Sequence, residues 1–244
     1  MDNPPVLSHL SCSIPPGVTF LVGPNGIGKT TFMLLAGARL VPTHGTVTLL
    51  DKDSADFTEE ERMRSASFVY QNMEFETDQP LGEVLVSIQD GGNDPATAGE
   101  IRNELTEVAQ LQGLLERPMS TLSKGEMQRA IAAMSLLYRS PVVLMDEPFF
   151  AVEPGQTEDL LRFLRRYTHT YGVTLLLSVH DVALARAFGD QGLLFSHDGT
   201  LRIGLAAEVL QREALEQAFQ APYDTLYQRQ RLYRQMLQSI TEQA

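Results

Sequence analysis

Three observations in this sequence predict an α/β fold built on a mainly parallel sheet. Short apolar runs alternate with amphipathic stretches along the chain, which is the pattern of strand–helix–strand units. Three of those runs (residues 18–22, 142–145 and 174–179) are apolar almost throughout and read as strands buried on both faces. Each run also ends in distinctive chemistry: a glycine-rich turn, two carboxylates and a histidine. Open α/β sheets collect ligands beyond the carboxyl ends of their strands, so these three endings are expected to meet.

Val18-Thr19-Phe20-Leu21-Val22 leads through the glycine-rich turn into a helix expected from Lys29 toward Leu40, with Phe32, Leu35 and Ala36 apolar. Residues 41–50 are expected to form a separate antiparallel strand. The run Ala66-Ser67-Phe68-Val69-Tyr70 ends at Gln71. Between Pro80 and Pro118 the texture changes. Leu81, Val84, Leu85 and Ile88 precede the loop Gly91-Gly92-Asn93-Asp94-Pro95, and Ile101, Leu105, Val108 and Leu111 come after it. This stretch reads as a small helical lobe inserted into the sheet domain. Met127, Ala130, Ile131, Met134 and Leu137 recur at helical spacing, as do Leu160, Leu161, Leu164 and Tyr167. Near the end, Leu193-Leu194-Phe195 and Leu201-Arg202-Ile203 flank Asp198-Gly199, a hairpin signal. The expected organisation is a single domain over residues 1–244. It comprises a core with a β subdomain (1–79 and 119–220), a helical lobe (80–118) and a tail (221–244).

Composition narrows the function classes. At 244 residues the chain exceeds one average domain of roughly 150 residues. With 43% hydrophobic and 20% charged residues it carries enough apolar material for a large core, which excludes disorder as its main state. Nineteen basic residues against 31 acidic give a net charge of -12. Nucleic-acid binding rests on neutralising phosphates with Lys and Arg, so no nucleic-acid partner is expected. Anionic lipid surfaces are disfavoured on the same ground. Cys12 is the only cysteine, so neither an intrachain disulfide nor a cysteine zinc cluster can form. The first residues lack the basic-then-apolar pattern of a signal peptide. No run approaches the roughly 18 apolar residues of a membrane span, so the chain is not expected to cross a membrane by itself.

Gly23-Pro24-Asn25-Gly26-Ile27-Gly28-Lys29-Thr30, with Thr31 next, fits the phosphate-loop pattern of two spaced glycines before Lys and Thr. Glycine permits positive φ and close backbone approach to oxygens. The helix behind the loop aims its unpaired N–H groups and positive dipole end at an anion. Lys29 supplies a mobile charge to β and γ groups, and Thr30 offers a hydroxyl to Mg2+. The pattern points to a nucleoside triphosphate. Asp146 comes after the second strand as a candidate Mg2+ ligand. Glu147 beside it is the candidate for orienting or deprotonating an attacking water. His180, ending the third strand, is a candidate γ-phosphate contact.

Together these residues resemble the ATP-binding cassette (ABC) ATPases. Leu122-Ser123-Lys124-Gly125-Glu126-Met127-Gln128-Arg129 is similar to that family's signature motif. Ser123 would cap the helix behind it, making its amino terminus a second anion site. The resemblance implies that this site acts in trans. Two cassettes, expected to be copies of one chain, would pack head to tail, with each signature (Ser123, Lys124, Gly125, Glu126) closing over ATP on the other's phosphate loop. Gln71 matches the family's Q-loop glutamine, which senses Mg2+ and the attacking water and joins core to lobe. The resemblance runs from about Val6 to about Phe219. Gly204, Ala207-Glu208-Val209-Leu210, Leu215 and Phe219 look like the tail of cassettes serving metal-chelate and vitamin B12 importers. His180-Asp181-Val182-Ala183-Leu184-Ala185 points the same way. The resemblance implies an ATP hydrolase using ATP and Mg2+. It also implies a peripheral place on the cytoplasmic face of the membrane, beneath separately encoded transmembrane permease subunits.

Several positions depart from the family pattern. The adenine-stacking aromatic usual about two dozen residues before the phosphate loop has no counterpart in Met1 to Pro5, and weak discrimination between ATP and GTP is expected. Tyr223 and Tyr227 are alternative stackers. Lys124 replaces a usual glycine, Glu153 a usual aspartate, and Phe149 and Phe150 stand where smaller or polar residues are usual. Two other classes stay open: a soluble cassette resembling iron–sulfur assembly ATPases, and an ATP-binding scaffold with weak turnover. Met73, Glu74 and Phe75, just after Gln71, are expected to line the groove that receives the membrane partner.

Overall fold

The apolar runs become the middle of a six-stranded sheet. In a computed structural model describing residues 5–226, β1 (Gly17–Val22) is buried along its whole length. A two-residue ladder comes next, β2 (Thr48–Leu49) against β3 (Lys52–Asp53), antiparallel and separate from the main sheet. The remaining strands are β4 (Ala66–Val69), β5 (Val142–Asp146), β6 (Thr174–Ser178), β7 (Gln191–Phe195) and β8 (Leu201–Leu205). Their order is β4-β5-β6-β1-β7-β8, parallel throughout except for the β7–β8 hairpin. The α/β architecture with a mainly parallel sheet is the one the sequence predicts.

Alternation along the strands divides the core between the two faces of the sheet. Val18, Phe20, Val143, Met145, Leu175 and Leu177 face one side with α5 (Lys124–Leu137) and α6 (Pro154–Tyr171). Leu21, Leu144, Leu176, Leu193 and Phe195 face the other, under Phe32 and Met33 of α1 (Lys29–Ala36). The same period places the side chains of Asp146 and Ser178 on the α1 side. Between β4 and α5 the chain forms α3 (Leu81–Gly91) and α4 (Pro95–Val108), which pack on α5. Asn93, in the turn between them, ties this pair to its neighbours. Its backbone N–H donates to Tyr138 O (2.9 Å) and its side-chain amide to Arg64 O (2.6 Å). The other helices are α2 (Glu59–Ser65), α7 (Val182–Phe188), α8 (Ala206–Val209) and α9 (Arg212–Phe219).

Two expectations are corrected. The first helix stops at Ala36 instead of reaching toward Leu40, because the chain turns back at Gly37 and Ala38 (φ 55). The N–H groups of Arg39 and Leu40 both donate to Leu34 O, closing the end. Residues 41–50 do not form one strand. Only Thr48 and Leu49 pair, with Lys52 and Asp53, through a two-residue turn in which Leu50 and Asp51 both hold positive φ (50 and 62). That turn geometry normally selects Asn-Gly, so Leu-Asp gave no hairpin signal. The part of the expected tail that begins at Tyr227 lies outside the described residues.

Candidate functional site

Strand register brings the distant motifs together. β5, β6 and β1 are adjacent, so Asp146 pairs with Ser178, and Ser178 pairs on its other side with Leu21, two residues before the phosphate loop. The loop then turns on glycine conformations. Gly28 caps α1 with φ 106, and a Cβ there would lie 2.9 Å from Leu7 and 3.0 Å from Val6. No side chain caps this helix and no acid sits in its first turn, which leaves its N–H groups available to an anion.

The side chains beyond the loop hold one another. Lys29, buried, donates through Nζ to Gly23 O (2.9 Å) and Pro24 O (3.0 Å). Burial lowers its pKa, and the carboxylates of Glu147 and Asp146 act in the opposite sense. Thr30 Oγ1 donates to Asp146 Oδ2 at 2.6 Å. Glu147 comes next with φ 50, turning the chain out of the strand, and its N–H donates to Ser178 Oγ (2.9 Å). The Glu147 carboxylate is held at both oxygens: Gln71 Nε2 donates to Oε2 (2.9 Å), and His180 Nε2 lies 2.7 Å from Oε1. Residues 76 positions apart in the chain thus meet over one carboxylate.

The donor set suits a hard divalent cation. Thr30 and Asp146 offer adjacent oxygens, the atoms Mg2+ prefers. Among the described residues there is no cluster of three or more His, Cys, Asp or Glu side chains fit to enclose a metal.

Ser123, Lys124, Gly125 and Glu126 open α5. Ser123 Oγ accepts from Glu126 N (3.4 Å) while Ser123 N donates to Glu126 Oε2 (2.7 Å), a reciprocal capping box. Burial raises the pKa of Glu126, but the Ser123 hydrogen bonds and the charges of Arg117 and Arg129 outweigh it, so the carboxyl titrates below its ordinary range. Gly125 passes so close to the segment after Glu147 that a Cβ would stand 2.5 Å from Ala151 O. Lys124 Nζ lies 5.2 Å from the centre of the Phe150 ring. Gln128, one turn on, accepts from Ala151 N (2.7 Å), fixing the same segment from inside. Phe149 packs against the core, so of the two aromatics it is Phe150 that meets the signature lysine.

Met73, Glu74 and Phe75 line a cavity of about 340 Å³, shared with Met119 and Leu122 just before α5 and with Met127 near its start. Tyr223 packs on the core beneath Arg212, whose Cζ lies 5.5 Å from the centre of the Tyr223 ring. Tyr227 lies outside the described residues. The residue that motif reading missed is Ser178, hidden because only strand register shows what it faces.

A family model described as ABC transporter matches residues 7–150. The chain is 31% identical over 212 residues to the sulfate/thiosulfate import ATP-binding protein CysA of Brucella melitensis, covering 84% of this chain and 58% of that protein. It is 32% identical over 230 residues to the hemin import ATP-binding protein HmuV of Rhodococcus jostii, covering 91% and 77%. It thus spans about six tenths of the CysA relatives it matches. Among solved structures it is similar to an ATP-binding subunit of an ABC transporter (TM-score 0.75, 24% identity, 91% of each chain). It is also similar to a dimeric ATP-binding cassette bound to ADP and Pi (TM-score 0.69, 24% identity, 82% and 90%). At such identities the likeness is one of fold. Among the described residues no helix is long and apolar enough to cross a membrane.

Proposed function

The chain belongs to the ABC transporter family, and on that premise we propose that it is the ATP-hydrolysing subunit of an importer. It closes as a head-to-tail pair of identical chains over two MgATP, peripheral on the cytoplasmic face of the membrane beneath separate permease subunits. The observation that carries this reading is the grip on Glu147. Its carboxylate is oriented by Gln71 and His180 and lies beside the Thr30–Asp146 pair at the mouth of the phosphate loop.

The geometry supports a division of labour. The loop from Gly23 to Gly28, with Lys29, Thr30 and Thr31, receives the phosphates: Lys29 exchanges its two carbonyl partners for phosphate oxygens, and the uncapped amides of α1 complete the cradle. Thr30 and Asp146, with Gln71 alongside, would hold Mg2+, which when bound neutralises phosphate charge. Glu147 accepts the proton of the attacking water. His180 is close enough to the same carboxylate to steady it, and its proposed role is a γ-phosphate contact. In the partner's site, the amino terminus of α5 with Ser123, Lys124, Gly125 and Glu126 faces the nucleotide. The groove at Met73, Glu74 and Phe75 receives the permease.

The cargo is a metal chelate or a related nutrient. The tail resemblance supports this, as does the hemin-importer relative, which aligns over most of both chains. The sulfate/thiosulfate relatives favour a second reading, an oxyanion importer. Glu147→Gln tests the core of the proposal. Turnover should fall about 10²–10⁴-fold with MgATP binding retained, and the variant should sediment as a dimer only with MgATP. Hydrolysis at the parental rate overturns it. Co-purification of permease subunits, and the compound that stimulates hydrolysis in that complex, decides between the two cargo classes.

A further inference from the structure

We infer that Ser178 is a positioning residue for hydrolysis: one buried hydroxyl that sets both carboxylates at the end of β5. The inference rests on the hydrolytic reading of Asp146 and Glu147. Ser178 is fully buried at the end of a strand whose other interior residues are leucines, a place where an unpaired hydroxyl is costly. Both of its hydrogen-bonding capacities are used, and both go to the acid pair. The hydroxyl donates to Asp146 Oδ1 and accepts the N–H of Glu147 at 2.9 Å.

The two bonds do different things. Thr30 holds Asp146 Oδ2 and Ser178 holds Oδ1, so the plane of that carboxylate is fixed from both sides. Glu147 leaves the strand with φ 50, a left-handed conformation that a non-glycine residue keeps only when its surroundings hold it there. The Ser178 oxygen satisfies the N–H that this turn directs inward, and so aims the Glu147 side chain toward Gln71 and His180. Register makes the arrangement possible: Ser178 lies between Asp146 on one strand and Leu21 on the other. The hydrogen bonds of Ser178 go to the two acids. It acts through them.

Ser178→Ala removes only the hydroxyl, leaving the Glu147 N–H unpaired and Asp146 held from one side. In the purified full chain, kcat is expected to fall about 10–10²-fold, the scale seen for groups that orient ligands from behind. ATP binding without Mg2+ should be unchanged. The Mg2+ concentration at which ATP half-maximally raises the melting temperature should rise. Ser178→Thr, which keeps the hydroxyl, should recover most of both effects. A Ser178→Ala protein with the parental kcat and Mg2+ requirement overturns the inference. So does one whose melting temperature and magnesium-free ATP binding fall together while the folded fraction turns over normally, since that is a packing role. Glu147→Gln, run alongside, separates the two readings. If it hydrolyses like the parent, the hydrolytic assignment fails, whereas the Mg2+ shift in Ser178→Ala still reports on Ser178.

Discussion

Two helix starts stand in the proposed nucleotide sites, and they are prepared in opposite ways. The first turn of α1 is left open: Gly28 caps it without a side chain, and no acid sits in the turn. The first turn of α5 is closed on itself, with Ser123 and Glu126 satisfying each other's backbone and Glu126 reaching Arg117 at 3.2 Å. An open start has unmet donors and gains from any phosphate that arrives. A closed one is already stable and contributes only where a second body presents a nucleotide to it. The acid in the closed turn repels a phosphate, and Lys124 beside it supplies the opposing charge. On the proposed reading the first site is complete within one chain, and the second acts only with a partner.

Lys29→Ala strikes the open start and should have the largest effect on binding. The ammonium is the mobile cation of that site, and hydrogen bonds to charged groups contribute roughly 1.5–3 kcal/mol. MgATP affinity of the isolated chain is expected to fall about 10²-fold. Calorimetric titration checks this. Unchanged affinity would mean that the loop amides alone hold the nucleotide.

Gly125→Ala strikes the closed start without touching the phosphate loop. A Cβ 2.5 Å from Ala151 O must push α5 away from the segment after Glu147. Small overpacking of this kind costs about 1–3 kcal/mol. ATP binding to the single chain should be unaffected, while turnover should fall about tenfold or more. In the Glu147→Gln background, MgATP-driven dimerisation seen by sedimentation should weaken in parallel. Loss of binding by the single chain would erase the distinction between the two starts.

The same contrast separates what could be read in the sequence from what could not. The open site is a local pattern: two glycines, Lys and Thr within eight residues, between an apolar strand and an apolar helix. Asp146, Glu147 and His180 stood out because each closes an apolar run, and the sheet does bring those run ends together. The turn at Leu50 and Asp51 was not, since positive φ at two non-glycine residues leaves no compositional mark. Ser178 was invisible for another reason. A serine after three leucines looks like a strand end, and only its register against Asp146 and Leu21 gives it partners. The Lys124–Phe150 contact likewise joins two departures from the family pattern that sequence could only note one at a time.

Base selectivity is expected to be smaller than either effect. Beside Gly28 the chain places the aliphatic side chains of Val6 and Leu7, and Val6 is 62% exposed. Stacking on an aromatic contributes roughly 1–3 kcal/mol, and phosphate contacts are blind to the base. Tyr223 is engaged beneath Arg212. Competition between ATP and GTP for the isolated chain should show less than about tenfold preference, equivalent to about 1.4 kcal/mol. A strong preference for ATP would place an aromatic over the base from elsewhere.

The smallest effect uses α2, which carries the same capping box as α5 with no part in the nucleotide site: Thr58 Oγ1 accepts from Glu61 N, and Thr58 N donates to Glu61. The hydrogen bond from Lys52, joined by those of Thr58, draws the Glu61 pKa from its ordinary 4.5 to about 2. A depressed folded-state value means stabilisation fully present above 4.5 and lost as pH falls toward 2. Protection from hydrogen exchange in the first turn of α2, taken relative to the intrinsic rate at each pH, should therefore fall between pH 4.5 and 2, ahead of the sheet. Glu61→Gln should remove that pH dependence. Glu126 is also depressed, by the Ser123 bonds acting against burial, so acid should loosen the start of α5 as well. If α2 loosens and α5 does not, burial and Arg117 hold the closed start more firmly than its cap does. If both stay protected, neither capping box owes its stability to a charged carboxylate, and the repulsion ascribed to Glu126 at the partner's phosphate goes with it.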